Sequence, residues 1–364
     1  MKARLGAVLF GIGILLVVVA GGLAFYVAPA VTKLPYDLKL CKTPAEEGCL
    51  QPSVAEATNA RFLQTKGGAT PVVAIQTGTL RSTTEVDPRA DLTSKLTGDL
   101  KDSAVVWDVF GTVIWVETNE KISQYSAELA LDRVSAGGQN WDKQFLQDAG
   151  PTGPSTVSFT GQTYKFPFHT EQKTYQYFDR DLRKAVPIEF QATEQIKGTE
   201  AYRFQQVIPS TELAFAPERL NGLLSRFAPE ATGGKVMYSN TRTIWVEPVS
   251  GTFLKVQEQQ AKTLVPDVGP ETVLLDGAFT YTDRTITNSV KSAGETKSQL
   301  LLIGRYLPIG LAVLAALALI GGLVLAYSHA QQRAPRHRSP DYSDGPSRSA
   351  HDDVTDEVPT ARAT

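Results

Sequence analysis

The feature that most constrains this chain of 364 residues is a pair of long apolar runs, one near each end. Residues 5–28 contain no charged side chain, and neither do residues 306–328. An α-helix rises about 1.5 Å per residue, so each run can cross a hydrocarbon core of about 30 Å. We therefore predict two transmembrane helices. Residues 1–4 precede the first, residues 29–305 lie between the two, and residues 329–364 form a tail.

Basic residues beside the two runs predict how the chain is oriented. Lys2 and Arg4 precede the first run, and three arginines follow the second within residues 333–338. Because Lys and Arg near a span are retained on the cytoplasmic side, both termini are predicted to be cytoplasmic. Residues 29–305 are then periplasmic or extracytoplasmic, held at the inner (plasma) membrane. A cleaved signal peptide stays open as the alternative for the first run, since it shares the basic start and apolar core.

The region between the runs has the patterns of a mainly β domain. Residues 71–77 and 103–110 are short β-branched or aromatic runs between turn-forming residues. Apolar and polar residues alternate in residues 174–178 and 201–208, as in antiparallel strands with one buried face. We predict an antiparallel β-sandwich or jelly-roll-like domain with a few short helices.

The clearest helical segment of this region is residues 217–227, which begins at a proline and repeats apolar residues at three- and four-residue spacings. Two interpretations stay open. The helix either caps the sandwich or forms a lid over an acyl-chain cavity. The apolar residues of this candidate lid are Leu220, Leu223, Leu224 and Phe227.

The two cysteines of the chain, Cys41 and Cys49, lie just after the first apolar run. The predicted topology places them in an oxidising compartment, so we predict a disulfide that fixes a local loop. A loop this short would restrain the unfolded chain by about 2.5 kcal/mol. A redox function is the alternative.

Composition argues against several classes of function. The net charge is −2 and the charges are interspersed, whereas nucleic-acid binding requires a basic surface. Residues 29–305 contain one histidine, His169, and the chain has no nucleophile elbow, phosphate-binding loop or paired-cysteine metal motif. Asp179 and Asp181 flank Arg180 in a polar turn that we interpret as a solvated loop. We predict a noncatalytic protein without metal or cofactor, and a disordered tail because residues 329–364 are poor in large apolar residues.

Aromatic residues of the strand-rich middle are candidates to line a lipid cavity or to stack on a sugar. Core packing is the alternative for each of them. The candidates are Trp107, Trp115, Tyr175, Tyr177, Phe178 and Trp245.

The order of features resembles a known family. An apolar span, a β-rich domain, an aromatic strand end at residues 175–179, a turn at residues 245–251 and a second span with a polar tail follow one another. In this combination the chain resembles the PorA-like family of actinobacteria that make mycolic acids. A member of that family, a polar growth factor, works with an MmpL-type transporter of trehalose monomycolate and binds the glycolipid through its periplasmic domain.

The resemblance implies a membrane-anchored lipid- or glycolipid-binding accessory protein of mycolate envelope assembly or trehalose monomycolate transport. Its expected partners are the membrane, a glycolipid and an MmpL-type transporter. The alternative is a structural or signalling scaffold whose outer domain binds envelope proteins or peptidoglycan. The family name suggests a porin, but the sequence lacks the lipid-facing strand bands and aromatic girdles of a β-barrel pore.

Overall fold

The computed structural model describes residues 2–36, 41, 46, 49–67, 72–148 and 154–332. The chain divides into two compact units, one formed by Met1–Ile14 with Ala315–Thr364 and the other by Leu15–Leu314. The arginines of residues 333–338, and nearly all of the tail predicted to be disordered, lie outside the described residues.

Two helices of the described chain are long and apolar enough to cross a membrane, judged by length and composition. They correspond to the two runs found in the sequence, and the second helix continues past residue 328 to Gln332. Each helix contains one π-helical turn. The segments are α1 (Lys2–Gly22), a π-turn (Leu23–Val27) and α2 (Ala28–Val31), then α5 (Asp283–Leu301), a π-turn (Leu302–Tyr306) and α6 (Leu307–Gln332).

In the smaller unit, α1 and α6 pack against each other at glycines. A Cβ atom built on Gly6 would lie 2.9 Å from the carbonyl oxygen of Gly322. A Cβ atom built on Gly13 would lie 2.6 Å from the Leu319 side chain. The first contact is to backbone, so the close approach of the two helices at Gly6 depends on glycine, whereas the second fits Leu319 into the space above Gly13.

The larger unit contains a 13-stranded sheet in which neighbouring named strands are antiparallel. The order across the sheet is β7-β6-β4-β3-β2-β1-β13-β12-β11-β10-β9-β8, and β5 pairs with β4. The strands are β1 (Ser53–Lys66), β2 (Val72–Pro88), β3 (Ala104–Trp115), β4 (Glu120–Asp132), β5 (Gly138–Gln139), β6 (Phe145–Asp148), β7 (Ser155–Thr156), β8 (Tyr175–Asp179), β9 (Lys184–Ile196), β10 (Thr199–Glu212), β11 (Gly234–Val246), β12 (Phe253–Pro266) and β13 (Thr272–Tyr281).

The alternation seen in the sequence corresponds to the two faces of this sheet. In β10, Phe204, Gln206 and Ile208 are buried while Val207 between them is exposed. Successive side chains of a strand point to opposite faces, so one face of β10 packs inward and the other meets solvent. The inward face includes a buried polar residue, Gln206.

A short segment links the two ends of the sheet. Gly161 bridges to Gly138 of β5, and Gln162 bridges to Tyr177 of β8. Gly161 has φ +70°, and a Cβ atom there would lie 2.4 Å from the carbonyl oxygen of Gln176. Glycine tolerates both the left-handed conformation and the close approach, so the sheet can close around an interior.

Short helices complete the larger unit: α3 (Ala90–Thr93), a 3₁₀ turn (Gly98–Leu100) and α4 (Pro217–Phe227). The prediction of a mainly antiparallel β domain with a few helices, and with an apolar helix at each end, is confirmed. Its strands belong to one continuous sheet whose opposite parts pack face to face. Trp107 and Leu129, for example, share a core cluster with Phe178 from the other end of the sheet.

Candidate functional site: an interior cavity of the β domain

A cavity of about 850 Å³ lies in the larger unit. Its walls come from β1–β4 on one side, from β8 and β11–β13 on the other, and from α5. The segment that follows α2, including Leu34 and Tyr36, also lines it. A volume of this size accommodates a small-molecule solute.

One wall of the cavity is a row of uncharged polar side chains on α5, which we call the polar stripe. Its members recur at three- and four-residue spacings and so share one face of the helix. A face of α5 adjacent to this row packs on the sheet through Ala293, which shares a core cluster with Trp245 and Leu254. The polar stripe consists of Thr285, Asn288, Ser289, Ser292, Thr296 and Gln299.

The start of α5 is fixed to the sheet by hydrogen bonds. The Thr282 side chain caps the helix by accepting from the backbone N–H of Thr285. The Thr285 hydroxyl donates to the carbonyl oxygen of Val54 and accepts from its N–H, both at 3.1 Å. These bonds hold the polar stripe against β1, so its position in the cavity wall is determined at its first residue.

A second feature of the lining is a set of charged side chains, Asp179, Asp181, Arg242 and Glu258, which we call the charged belt. Arg242 Nε lies 2.7 Å from Glu258 Oε1, and its Nη2 lies 3.1 Å from Asp179 Oδ2. Arg242 also donates to Gln206. The strand register explains the arrangement, since Arg242 lies opposite Gln206 on β10 and opposite Glu258 on β12.

Neighbouring cations keep the carboxyls of the belt in their charged form. Burial alone would raise the pKa of Glu258, but attraction to Arg242 and its hydrogen bond outweigh burial and lower that pKa. Burial would likewise raise the pKa of Asp181, but Lys262, 2.5 Å away, together with Arg180 lowers it. Both carboxyls are therefore ionised at neutral pH inside the domain.

Lys165 is a further cationic side chain of the lining. Its amine donates to the carbonyl oxygen of Ser250 and lies 4.4 Å from the centroid of the Phe168 ring. Burial lowers its pKa to about 7, with Glu247 acting in the opposite direction. A substantial fraction of this amine is therefore neutral at physiological pH.

The aromatic candidates from the sequence occupy different places. Trp107, Tyr177 and Phe178 line the cavity. Trp115 packs edge-on against Phe62, with ring centroids 5.3 Å apart. Within the described residues, neither Trp115, Tyr175 nor Trp245 contributes to the lining.

The last two of these side chains have packing partners of their own. Tyr175 packs edge-on against Phe166, and its hydroxyl accepts from the backbone N–H of Glu171 at 2.9 Å. Trp245 packs beneath α5 and donates its indole N–H to Glu194 at 2.7 Å. Their contacts are those of core packing.

The candidate lid helix packs away from this cavity lining. Leu223 and Leu224 are buried in a cluster with Ile208 and Val236, and Leu220 and Phe227 pack at its edge. None of these four leucine and phenylalanine side chains belongs to the cavity lining of the described chain. This placement is that of a helix covering one part of the sheet.

Cys41 and Cys49 form a disulfide. Cys49 and the following Leu50 line the cavity, and the N–H of Cys41 donates to the carbonyl oxygen of Leu50 at 3.1 Å. The disulfide therefore holds a strap of chain at the cavity wall. Since both sulfurs are consumed by the bond, they are not free to hold a metal with the nearby Glu46.

Sequence reasoning missed the charged belt. The turn at Asp179 and Asp181 looked like a solvated loop, but Asp179 is fully buried and accepts from Tyr238 at 3.0 Å. The available signal was in β11, where Tyr238, Asn240 and Arg242 occupy the same face as the apolar Ile244. Polar residues on the inward face of a strand indicate a polar interior.

The sequence profile of a family described as Porin PorA matches residues 5–324. This match covers most of the chain. The chain belongs to the PorA family. A protein named Porin PorA from Corynebacterium resistens is 24% identical, over 51% of this chain and 61% of its own length. Another Porin PorA, from Corynebacterium amycolatum, is 26% identical over 31% of this chain and 36% of its own length. The chain thus spans less than two thirds of the length of either relative.

These names confirm the PorA resemblance and overturn part of what was built on it. The interpretation as a glycolipid-binding accessory protein of mycolate transport is wrong by this comparison, because the relatives are named as porins. The link to an MmpL-type transporter is not shown, and the scaffold alternative gains no support. The physical reason lies in the cavity. Aromatic strands were expected to enclose acyl chains, whereas the lining also contains the polar stripe and the charged belt.

The protein is associated with a membrane. This follows from the two apolar helices together with the family to which the chain belongs.

Proposed function

We propose that this chain is a noncatalytic, porin-type membrane protein that passes small hydrophilic solutes, with the cavity of its β domain as a vestibule. The observation that carries the proposal is the polar stripe. It lines the cavity on a helix, α5, that continues through one π-turn into the apolar α6. A wall of hydroxyl and amide groups offers water and solutes hydrogen bonds without holding them by charge. The name of the PorA relatives supports the same function.

The bilayer-crossing part is assigned to the helices and not to the strands. Described residues of the β domain between 53 and 281 expose only four large apolar side chains, Phe110, Val134, Val207 and Val268. A strand-built pore needs a continuous apolar band about 25 Å tall on its outside. Two helices are too few to enclose a water-filled path, so the proposal requires several copies of the chain to assemble in the membrane.

The proposed topology places both termini on the cytoplasmic side and the β domain outside. The basic residues beside the two helices support it, as does a disulfide on the side where disulfides persist. Single cysteines introduced at Ser94 and Ser343 in the intact chain test this topology. A membrane-impermeant thiol reagent should label the first in whole cells and the second only after lysis. The reverse pattern would refute the orientation.

The function is tested by reconstituting the full-length protein into planar bilayers and measuring ion conductance. We expect discrete conductance steps that fall at least severalfold in Ser292→Leu, because an apolar side chain in the polar stripe favours dewetting. Ser298→Leu is the matched control, since Ser298 lies on α5, is exposed and does not line the cavity. Absence of conductance from the wild-type protein would refute the proposal. Equal conductance of the two variants would show that the polar stripe does not line the conducting path.

A further inference from the structure

Arg180 lies in the turn between β8 and β9 and contributes to the cavity lining. Its guanidinium carbon is 4.1 Å from the centroid of the Tyr125 ring, a stacking distance. In the described part of the chain this guanidinium has neither a hydrogen bond nor an ion pair. A guanidinium carries five N–H donors, so Arg180 presents an unused donor fork to the cavity.

The carboxylates near Arg180 are each engaged by another cation. Asp181 lies 2.5 Å from the amine of Lys262. Asp148 lies 3.1 Å from Arg183, and Asp179 pairs with Arg242. Arg180 attracts Asp181 through space, but no acceptor of the described chain reaches its donor fork. A partly desolvated cation without an acceptor is a costly arrangement unless a solute supplies one.

Two tyrosine hydroxyls accompany this guanidinium. Tyr125 and Tyr164 both line the cavity and pack against the same core cluster. Burial raises the pKa of Tyr164 well above its usual range, so its hydroxyl stays protonated as a donor. The Tyr125 ring is held over Gly111, where a Cβ atom would lie 1.9 Å from the ring. The backbone of β3 thus fixes the ring on which Arg180 stacks.

A further donor belongs to the same core cluster. Trp107 lines the cavity and is 4% exposed, and its indole N–H has no acceptor in the described chain. Trp107 and Gly111 lie on the same face of β3 four residues apart, about 13 Å along the strand. Trp107 is therefore a further donor of the cavity wall that is available to a solute.

We propose that Arg180, Tyr125 and Tyr164 form a binding site for an oxyanion group, a carboxylate or a phosphate, on a solute inside the cavity. The planar fork of an arginine matches both groups by two parallel hydrogen bonds, and the aromatic ring beneath it fixes its orientation. The inference rests on the proposed porin function, since it names the class of solute that the vestibule retains. Anionic solutes enter and are held, whereas neutral analogues of the same shape pass without a specific contact.

Equilibrium binding to the full-length protein in detergent tests the site. The probes are benzoate, its neutral isostere benzamide and inorganic phosphate, followed by tryptophan fluorescence and calorimetry. We expect saturable benzoate binding, weaker binding of benzamide, and a loss of about tenfold to a hundredfold in benzoate affinity for Arg180→Gln. Competition by phosphate would identify a general oxyanion site, and its absence a carboxylate site.

Arg203→Gln is the control, because Arg203 on β10 pairs with Glu194, engages none of the carboxylates near Arg180 and does not line the cavity. Its benzoate affinity should equal that of the wild type. Tyr125→Phe removes only a hydroxyl and provides a second variant if Arg180→Gln fails to fold; it should weaken benzoate binding severalfold. Unchanged affinity in the folded variants, or equal binding of benzamide and benzoate, would overturn the site.

The binding assay and the conductance assay separate the two proposals. Conductance without benzoate binding would refute the oxyanion site and leave the porin function standing. Benzoate binding that depends on Arg180, without conductance from the reconstituted protein, would refute the porin function and leave a solute-binding domain.

Discussion

Replacement of Arg242 by methionine tests whether the charged belt holds the β domain together. Methionine keeps an unbranched stem but is shorter and carries no charge, so the change leaves Asp179 and Glu258 without their shared cation. Removing one partner of a buried ion pair costs about 3–5 kcal/mol. Asp179 keeps hydrogen bonds from Tyr238 and the Leu182 N–H, so we expect the lower end, about 3 kcal/mol.

For a domain of this size, a loss of about 3 kcal/mol lowers the midpoint of thermal unfolding by about 6–12 °C. Near-ultraviolet circular dichroism of the full-length protein measures that midpoint. Arg203→Met on β10 is the control, because Arg203 pairs with Glu194 at 2.6 Å with both side chains substantially exposed. Such a pair contributes about 1 kcal/mol or less, so the control midpoint should change by about 4 °C at most.

The direction in which stability changes with pH provides an independent test of the charged belt. In the wild type, the pKa of Glu258 is lowered on folding, so its stabilising contribution is complete above pH 5 and is lost as the pH falls through the folded pKa. In Arg242→Met, burial of Glu258 is no longer outweighed, and its pKa should rise above that of the unfolded chain. The stability of the variant should therefore increase as the pH falls from 7 towards 5. A midpoint within 2 °C of the wild type, or a variant with the same acid response, would refute this account of the belt.

Two other substitutions test different parts of the domain. Leu224→Ala removes a buried side chain from the cluster under α4, so the free energy of unfolding measured in urea should fall by about 2–4 kcal/mol. Benzoate affinity should not change. A loss below about 1 kcal/mol would show that the helix packs loosely. Lys165→Met should stabilise the domain at pH 7, because folding lowers the pKa of Lys165 to about 7 and protonation opposes burial. Wild-type stability should then rise between pH 7 and 10 while that of the variant stays flat, and parallel thermal midpoints across this range would contradict the assignment.

The parts of the fold that were predictable depend on local composition. A charge-free run of more than twenty residues has few alternatives to a long apolar helix, so the two ends were identified from the sequence. Alternation within β10 likewise indicated an antiparallel strand. Closure of the sheet was not predictable, since it depends on Gly161 meeting Gly138 and Gln162 meeting Tyr177. Such bridges leave no periodic signal in the sequence.

The candidate site was predictable only in part for a similar reason. Trp107, Tyr177 and Phe178 were chosen as large aromatic residues, and they line the cavity. Arg180 and Asp179 were set aside because closely spaced charges are typical of solvated turns. The partner that buries Asp179 is Arg242, which lies 63 residues along the chain. No local pattern connects the two, although polar residues on the inward face of β11 were visible in the sequence.

The two apolar helices share one irregularity, a π-turn that is followed by a proline. Pro29 and Pro308 each lie two residues after a π-turn, and the N–H groups of Ala28 and Leu307 donate five residues back, to Leu23 and Leu302. A proline removes one hydrogen bond of a helix, and a π-turn is a way to rearrange the carbonyls that it frees. The two π-turns also contact each other within the larger unit. The same irregularity therefore occurs where these two segments contact each other, and the second π-turn follows directly after α5 and its polar stripe.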